Sequence, residues 1–361
     1  MKNMKVDFLG LKLENPFILG SGPLSYSAKG IIRAVHEGFG AVVTKTIRDI
    51  PATNPLPHMA LAERNTMINA EEWSDLPGGR WVDVEIPKAK KAGAVVIASI
   101  GHTLTEVVNW LPGCDTAGAD AFELVSYTED TIRMMIKKAK ELTAKPVLVK
   151  ISPNWNDPVN TALDTIKLGA DGITVMDSIG PVLRIDIKTG KPLVSGAGGR
   201  GWLTGSAIKP VALHYVAEIS SKTEKPVMGL GGVITAEDAV EMLMAGAKVV
   251  GLCTAPIIRG IESIGRLKNR FLELTGELGF SSIDLLSGYS GKFLHGESNM
   301  KKFDFIFNAD TCTECMACVR ACAYEARSMS NKIMTLDTDI CRYCGLCFSV
   351  CPNGSLRRND V

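Results

Sequence analysis

The residues in this chain that could do chemistry most directly are cysteines, eight of which lie between positions 312 and 351. They form two runs, "CTECMACVRAC" from Cys312 and "CRYCGLCFSVC" from Cys341, and each run has the spacing CxxCxxCxxxC. In this spacing three neighbouring thiolates bind one iron–sulfur cluster, and the fourth thiolate reaches a second cluster. The two runs therefore predict a segment that accepts and donates electrons.

The spacing also assigns the ligands of two [4Fe-4S] clusters. One cluster is bound by Cys312, Cys315, Cys318 and Cys351, and the other by Cys341, Cys344, Cys347 and Cys322. Zinc is the alternative because CxxC pairs also bind it, although zinc needs two pairs of ligands rather than two four-cysteine runs. A disulfide framework is a weaker alternative in a reducing compartment. Pro352 follows the second run but Ala323 follows the first, which changes a turn and not a ligand.

The overall composition is that of a globular protein with balanced charge. The chain has 361 residues, of which 46% are hydrophobic, and a net charge of +1. Balanced charge predicts neither nucleic acid nor an anionic membrane surface as a partner. The opening segment lacks the apolar region of a secretion signal, and no stretch approaches the roughly 18 apolar residues of a membrane span. We therefore expect a cytoplasmic protein.

Eight short apolar segments alternate with helical segments before residue 280. The strands are predicted at 17–19, 41–45, 95–100, 121–125, 146–151, 172–177, 226–232 and 249–254. Near-continuous apolar strands are typical of a covered parallel sheet, and eight strand–helix units predict an α/β fold of the (β/α)8 TIM-barrel type. An open doubly wound sheet is the alternative. We assign the barrel to residues 1–278, a Ser/Gly-rich linker to 279–302 and a small α+β ferredoxin-like domain to 303–361.

Functional side chains in such a barrel are expected at the carboxyl ends of the strands. Lys45 and Lys150 end the second and fifth strands, and a lysine there is costly unless an anionic or electron-rich ligand meets it. Gly231 and Gly232 close the seventh strand, and Thr254 closes the eighth. Backbone N–H groups at these positions form the phosphate site of many barrels, although the glycines could simply permit a tight turn. The pattern predicts one shared ligand that carries a phosphate.

Longer motifs extend this pattern: "LENPFILGSGP", "VVTKT", "VLVKISPN", "GADGITVMDS", "TGSAIKPVAL" and "GLGGVITAEDAVEMLMAGAKVVGLCTA". Over about residues 6–258 they resemble the FMN barrel of dihydroorotate dehydrogenases and, more closely, of dihydropyrimidine dehydrogenases. Residues 303–356 resemble a two-cluster bacterial ferredoxin. The resemblance implies that Lys150 lies beside the flavin pyrimidine ring. It implies an FMN and substrate site formed by Gly20, Ser21, Lys45, Asn69, Lys150, Asp177, Ser178, Thr204, Gly205, Gly231, Gly232, Cys253 and Thr254.

The sequence departs from this family on the substrate side. Val125 stands where relatives have an asparagine at the end of the fourth strand, and no proton-transferring cysteine follows it. Asp177 replaces another substrate-binding asparagine. An ionised carboxylate accepts hydrogen bonds but cannot donate them, so amide-type recognition of a pyrimidine ring is disrupted. These departures predict a changed substrate.

A proton donor is nevertheless required, because hydride transfer to one carbon of a C=C bond needs a proton at the neighbouring carbon. The candidates for this catalytic role are Tyr127, Ser126 and His102. The alternative is that Tyr127 only packs and that His102 only bonds the flavin or a helix end. His58 and Arg64 could meet an acidic substrate group, although a solvated loop is the preferred interpretation.

Together these features predict an FMN- and iron–sulfur-dependent oxidoreductase of anaerobic metabolism. Its expected substrate is a small unsaturated carbonyl compound whose C–C bond gains or loses two hydrogens. The segment "GAGGRG" at 196–201 matches GxGxxG but lacks the βαβ unit and acidic residue of a nicotinamide site. The electron partner is therefore expected to be a ferredoxin or a separate NAD(P)H-oxidising flavoprotein subunit, and we also expect a homo-oligomer. The alternative is a non-catalytic electron-relay subunit of a larger redox complex.

Overall fold

The structure is a computed structural model that describes residues 3–294, 296 and 302–359. The strands, in chain order, are β1 (Val6–Phe8), β2 (Leu11–Leu13), β3 (Phe17–Leu19), β4 (Ala41–Val43), β5 (Met59–Glu63), β6 (Thr66–Asn69), β7 (Val96–Gly101), β8 (Ala121–Val125), β9 (Val147–Lys150), β10 (Gly172–Val175), β11 (Ile179–Val182), β12 (Gly201–Gly205), β13 (Val227–Leu230), β14 (Val249–Leu252), β15 (Phe305–Phe307), β16 (Arg327–Ser330), β17 (Ile333–Leu336) and β18 (Leu356–Arg358).

The α-helices, in chain order, are α1 (Ala28–Glu37), α2 (Gly78–Arg80), α3 (Ile86–Lys91), α4 (Leu104–Thr116), α5 (Glu129–Leu142), α6 (Pro158–Lys167), α7 (Lys209–Ser220), α8 (Ala236–Met244), α9 (Thr254–Arg259), α10 (Ser263–Glu277), α11 (Ile283–Leu286), α12 (Gly291–Leu294), α13 (Ala317–Arg320) and α14 (Leu346–Ser349). A π-helical turn, Trp81–Glu85, joins α2 to α3. Within the described ranges, none of the helices combines the length and apolarity that a membrane span requires.

Eight strands close into a parallel barrel in the order β10-β13-β14-β3-β4-β7-β8-β9. These are the eight segments predicted from the sequence, so the TIM-barrel prediction is confirmed and the open doubly wound sheet is excluded. The barrel strands are buried along their whole length because helices cover their outer faces. Phe271 of α10, for example, packs edge-on against Phe17 of β3 with ring centroids 5.3 Å apart.

The two longest connections, after β4 and after β10, together form a second sheet outside the barrel. Its strands are antiparallel in the order β11-β12-β6-β5, with Trp202 paired to Asn69 and Thr204 paired to Met67. The sequence predicted the long connections but not this pairing. The sheet places residues of two distant loops beside the carboxyl ends of the barrel strands.

Side-chain caps fix where the helices begin after the barrel strands. Thr103 Oγ1 accepts a hydrogen bond from the backbone N of Glu106, and Glu106 Oε2 accepts one from Thr103 N, which forms a capping box at α4. Thr235 and Asp238 repeat the arrangement at α8. Such caps satisfy the free N–H groups of a first turn and therefore set the length of each strand–helix loop.

The chain divides into two compact units, Met1–His295 and Gly296–Val361. The segment predicted as linker, 279–302, contains α11 and α12, and Ile283 and Leu286 of α11 are buried in the barrel core. The second unit is built from two antiparallel pairs, β15 with β18 and β16 with β17, and the short helices α13 and α14. This is the ferredoxin-like α+β arrangement predicted for the C-terminal domain.

Candidate functional site

The carboxyl ends of the barrel strands open into one cavity. Its wall includes these residues predicted from the sequence: Ser21, Lys45, Asn69, Ser126, Tyr127, Lys150, Asp177, Ser178, Thr204, Gly205, Gly231, Gly232, Cys253 and Thr254. Two predicted residues lie outside the wall. Gly20 donates its N–H to Leu252 O at 2.8 Å just after β3, and His102 lies behind Tyr127. Residues separated by more than two hundred positions therefore surround one space.

Two buried lysine amines face the cavity, and each is paired with a carboxylate. Lys45 is 5% exposed and bonds Glu71, while Lys150 is 8% exposed and its Nζ lies 3.1 Å from Asp177 Oδ1. Burial alone would lower the pKa of Lys150, but Asp177 and then Glu123 outweigh it and hold that pKa above its usual value. Both amines fit the role of cations against an electron-rich or anionic ring.

A fully buried carboxylate lies below the cavity and connects to it through hydroxyl groups. Ser21 Oγ lies 3.2 Å from Thr46 Oγ1, which lies 2.9 Å from Ser99 Oγ, and Ser99 Oγ donates to Glu123 Oε1 at 3.5 Å. Burial raises the pKa of Glu123, and the nearby Lys150 opposes this shift. Glu123 is thus a second acidic neighbour of the Lys150 amine.

The turn after β13 and the start of α9 form a backbone cradle in the cavity wall. Gly231 and Gly232 have φ of +131° and +80°, which glycine adopts readily. A Cβ at Gly232 would lie 2.6 Å from Lys209 Cβ, so this turn has no room for a side chain. Helix α9 begins at Thr254, and the Cys253 side chain does not cap it. Its first-turn N–H groups are available for a phosphate, as the sequence predicts.

The two cysteines of the barrel unit, buried Cys114 and partly buried Cys253, have thiols with little tendency to ionise. Burial raises the pKa of Cys114 to about 12 and that of Cys253 to about 11. The Cys253 thiol lies 3.7 Å from the carbonyl oxygen of Ser21. Because the thiolate is the nucleophile, neither residue is suited to nucleophilic or acid–base chemistry at neutral pH.

The antiparallel sheet supplies a polar edge to the cavity. Asn69 Nδ2 donates to Trp202 O at 3.3 Å, and Thr204 Oγ1 donates to Met67 O at 3.4 Å. Gly205 has φ of +85° and ends β12 beside these residues. Strand pairing therefore brings Asn69, Thr204 and Gly205 together. All three were predicted to contact the flavin, which requires that they lie close to one another.

An aromatic group lies on the far side of the cavity. The ring of Tyr127 lies 4.5 Å from that of His102, which stacks on Trp73 at 5.9 Å. Tyr127 is 54% exposed, and its partial burial raises its pKa, with Glu72 acting in the same direction. Burial lowers the pKa of His102, and its Nδ1 is buried without a hydrogen-bond partner in the described part of the chain. Tyr127 remains a phenol at neutral pH and, unlike His102, borders the cavity.

The loop that carries Tyr127 is short because a helix cap ends it. Thr128 Oγ1 accepts from Thr131 N at 3.4 Å at the start of α5, so three residues separate β8 from the helix. Ser126 Oγ donates to His102 O at 3.1 Å, which commits this hydroxyl to the backbone. The short loop leaves no segment long enough to form a lid at this position.

Both departures from the family pattern lie in the cavity wall. Val125 presents a buried apolar side chain, and Asp177 Oδ1 accepts from the N of Ser178 at 2.8 Å as well as from Lys150. Asn154 also borders the cavity, but its Nδ2 donates to Ser178 O and its Oδ1 accepts from Gly180 N, both at 3.0 Å. Its amide is therefore committed to the protein.

Three sequence candidates lie away from the cavity wall. His58 Nδ1 lies 3.0 Å from Pro55 O, and Arg64 is exposed, which supports the solvated-loop interpretation of this segment. The glycine-rich segment at 196–201 leads into β12 of the antiparallel sheet, not through a strand–turn–helix unit. It therefore lacks the structure of a nicotinamide-binding fingerprint.

The structure adds cavity residues that the sequence analysis did not select. They include Glu71, Glu72 and Trp73, which follow β6, and Trp202 of β12. A cluster of two acids and a tryptophan immediately after Asn69 was the available signal. Their position depends on the pairing of β6 with β12, which no local pattern specifies.

In the second unit, the thiols assigned to one cluster line a common cavity: Cys312, Cys315, Cys318 and Cys351. The two cysteine runs share their backbone geometry. Glu314 N donates to Cys312 Sγ and Tyr343 N donates to Cys341 Sγ, each at 3.4 Å, and both donors have positive φ. Hydrogen bonds to sulfur of this kind are used to tune clusters. Within the described residues, no three His, Cys, Asp or Glu side chains are gathered closely enough for a single metal ion.

Comparison of the sequence with known protein families supports the assignment of both units, the barrel and the cysteine-rich unit. The model of the family described as "Dihydroorotate dehydrogenase" matches residues 115–274, and that described as "4Fe-4S dicluster domain" matches residues 308–355. The catalytic subunit of dihydroorotate dehydrogenase B (NAD(+)) from Pyrococcus furiosus is 30% identical over 303 residues, which cover 80% of this chain and 99% of the relative. The Pyrococcus horikoshii protein of the same name is 31% identical over 311 residues, covering 80% of this chain and 98% of the relative.

A relative of different name covers the whole chain. The NAD-dependent dihydropyrimidine dehydrogenase subunit PreA of Escherichia coli K12 is 26% identical over 395 aligned positions, which cover 100% of this chain and 96% of the relative. Its coverage therefore includes the cysteine-rich unit, whereas the archaeal relatives match 80% of the chain. The chain accordingly belongs to the dihydroorotate dehydrogenase family of oxidoreductases acting on CH–CH groups, with a 4Fe-4S domain following its barrel.

Proposed function

We propose that this protein is an FMN- and iron–sulfur-dependent oxidoreductase that adds or removes two hydrogens across a C–C bond next to a carbonyl. One observation carries the proposal: two buried lysine amines and a glycine-rich phosphate cradle border the same cavity of a chain that also has two four-cysteine runs. The dehydrogenation of a dihydropyrimidine is the leading named reaction, since the Escherichia coli relative extends over both units. Two clusters, with the ligand sets given above, complete the electron path.

FMN, when bound, supplies hydride transfer at one carbon of the substrate and electron exchange with the clusters. The protein holds it with the Gly231–Gly232 turn and the start of α9 at its phosphate. At the other end, the Lys150 amine is held in place by Asp177 and stabilises negative charge on the ring. Lys45 is fixed in the same way by Glu71.

Tyr127 is the proposed proton donor to the substrate. It borders the cavity, and a phenol of ordinary or raised pKa keeps its proton at neutral pH. The Ser126 hydroxyl is bonded to a backbone carbonyl, and His102 packs behind the phenol ring. Proton transfer from a positioned side chain contributes typically about 10²–10⁴-fold to such a reaction. His102 then supports the position of Tyr127.

The charges in the cavity wall favour a substrate without a carboxylate. Both lysines are paired, whereas Glu72 forms no ion pair in the described ranges. An anionic substrate would therefore lack a free cation and would meet Glu72 and Asp177. An uncharged unsaturated carbonyl compound with N–H groups can instead donate hydrogen bonds to Asp177.

The electron partner is proposed to be a ferredoxin or a separate NAD(P)H-oxidising flavoprotein subunit. The names of the relatives support a partner, because each describes a subunit of an NAD-linked enzyme. No dinucleotide fingerprint in the described chain competes with this assignment, since the segment at 196–201 enters an antiparallel strand.

Anaerobic purification followed by substrate screening tests the proposal. We expect a coloured protein containing FMN, iron and inorganic sulfide, whose flavin absorbance bleaches or recovers with uncharged unsaturated carbonyl compounds. The variant Lys150→Ala should lose flavin and turnover. Electron transfer between external partners that is unchanged in Lys150→Ala would instead support a non-catalytic relay subunit, and a colourless protein free of sulfide would exclude both.

A further inference from the structure

A buried arginine lies in the core of the cysteine-rich unit. Arg327 is the first residue of β16 and is 5% exposed. Its Nη1 donates to Met334 Sδ at 2.9 Å, and its Cζ lies 4.5 Å from the centroid of the Phe305 ring. Its Nη2 is buried and has no hydrogen-bond partner among the described residues, and none of their ion pairs includes this side chain. The two N–H groups of Nη2 are therefore unused, and no carboxylate balances the charge of the guanidinium.

A buried cation without a counterion is unfavourable, so a nearby anion is expected. Phe305 and Met334, the two residues that Arg327 contacts, pack in one small core with Cys318 and Cys347, which belong to different cysteine runs. An iron–sulfur cluster bound by four thiolates carries net negative charge and sulfur acceptors for an N–H group. Such a cluster supplies what the guanidinium lacks.

The chain contains an internal comparison for this position. Arg327 lies five residues after Cys322, the last cysteine of the first run, and Leu356 lies five residues after Cys351, the last of the second. Each begins a strand, β16 or β18, and each is buried. Leu356 borders the cavity formed by the first set of cluster ligands. By this correspondence Arg327 belongs to the cluster of Cys322, Cys341, Cys344 and Cys347, and the two halves differ here by one buried positive charge.

Resting on the proposed two-cluster assignment, we propose that Arg327 makes the cluster bound by Cys341, Cys344, Cys347 and Cys322 the more readily reduced of the two. Reduction adds one electron to a cluster and makes or breaks no bond, so the product carries one more negative charge. A cation stabilises that charge strongly where the surroundings are apolar, and hydrogen bonds to sulfur act in the same direction. Arg327 thus determines which of the two clusters holds the electron at equilibrium, and it is not a catalytic residue.

A redox titration of the anaerobically purified holoprotein tests this inference, with dithionite as reductant and electron paramagnetic resonance as readout. We expect two unequal potentials in the unchanged protein. The variants Arg327→Leu and Arg327→Gln should lower the higher of the two reduction potentials. The expected decrease is at least tenfold in the equilibrium constant for reduction, which is about 59 mV for a one-electron couple. Arg327→Lys should retain most of the difference because it keeps the charge. Arg357→Leu removes a charge from an exposed site of β18 and should have a much smaller effect.

Unchanged potentials in both neutral variants, with iron and sulfide contents intact, would overturn the proposal. So would an equal shift in Arg357→Leu, because surface charge would then explain it. If the neutral variants assemble one cluster only while Arg327→Lys assembles both, the charge is needed for assembly and the tuning role is wrong. Failure of the proposed function is distinguishable, because the unchanged protein would then contain no iron and sulfide to titrate.

Discussion

Lys150 Nζ lies 3.1 Å from Asp177 Oδ1, although the two residues belong to different strand–helix units of the barrel. Pairing of β9 with β10 sets Lys150 beside Thr174, and the chain then continues to Asp177 at the rim. Glu123 of the neighbouring strand adds a second negative charge. The parallel register thereby builds a charged group that holds the amine at one place in the cavity.

Replacement of this amine should destabilise the protein in a pH-dependent manner. The folded-state pKa of Lys150 is raised above the ordinary 10.5, so the pair's contribution is fully present below about pH 10.5 and is lost as the pH rises through the raised value. We expect Lys150→Met in flavin-free protein to cost about 3 kcal/mol at pH 8, because it leaves buried carboxylates unpaired.

Urea unfolding at pH 8 and at a series of pH values up to and above 10.5 measures this effect, and the difference between the two proteins should stay constant up to about pH 10.5 and narrow only above it. Lys29→Met, at an exposed position of α1, is the matched control and should change little. A difference that already narrows well below pH 10.5 would contradict the raised pKa of Lys150.

The Asp177→Asn variant should change which ligands bind. An ionised carboxylate accepts charge-assisted hydrogen bonds from ring N–H groups, whereas a neutral amide accepts them more weakly. We expect uracil to bind this variant about tenfold more weakly, as the loss of one charge-assisted hydrogen bond implies. Titration of the flavin absorbance with uracil measures the change, and Asp130→Asn, whose side chain is 96% exposed, is the control. Equal or tighter binding of uracil would show that Asp177 does not accept a hydrogen bond from the ring.

Removal of the Tyr127 hydroxyl should slow the proton-dependent step. We expect Tyr127→Phe to lose about 10²–10⁴-fold in turnover with normal FMN content, because only the donor is removed. His102→Gln should lose much less, since His102 packs behind the phenol. Tyr289→Phe serves as the control for a partly exposed tyrosine outside the cavity. Full turnover in Tyr127→Phe would exclude Tyr127 as the donor.

The barrel thiols should resist alkylation in the native protein. With pKa values of about 12 and 11, Cys114 and Cys253 carry at most about a hundredth of the thiolate of an ordinary cysteine near pH 8. Peptide-resolved mass spectrometry after iodoacetamide treatment should show both unmodified until the protein is unfolded in urea. Rapid native labelling of Cys253 would indicate a reactive thiol in the cavity.

The ligand sets predict which cluster each cysteine supports. Two [4Fe-4S] clusters correspond to about eight iron atoms per chain, and Cys351→Ser should lower this toward about four by releasing the cluster of the first run. Cys322→Ser should release the other cluster and leave a different paramagnetic signal. Cys114→Ser, in the barrel, should leave the iron content unchanged. Identical residual signals in the two ligand variants would contradict the crossed assignment of the fourth cysteines.

Much of the fold follows from local patterns. The eight barrel strands are continuous apolar runs followed by helices, four of which (α4, α5, α6 and α8) begin with a side-chain cap, and each strand was predicted at its observed place within a few residues. The cysteine spacing similarly indicates clusters without any knowledge of packing. The antiparallel sheet was not predicted, because β5, β6, β11 and β12 lie in two loops far apart in sequence and are stabilised only by each other.

The residues of the site likewise fall into those that the sequence could identify and those that only the tertiary structure revealed. Lys45, Lys150 and the Gly231–Gly232 turn could be selected because polar or glycine residues at the ends of buried strands are conspicuous in a sequence. The partners Glu71 and Glu123 could not, because their relation to the lysines depends on how loops fold back and on the register of parallel strands. Likewise, the spacing identified the cysteines, while only the folded core revealed Arg327 among them. Local periodicity thus determined the elements and the reactive residue types, and long-range packing decided which charges meet.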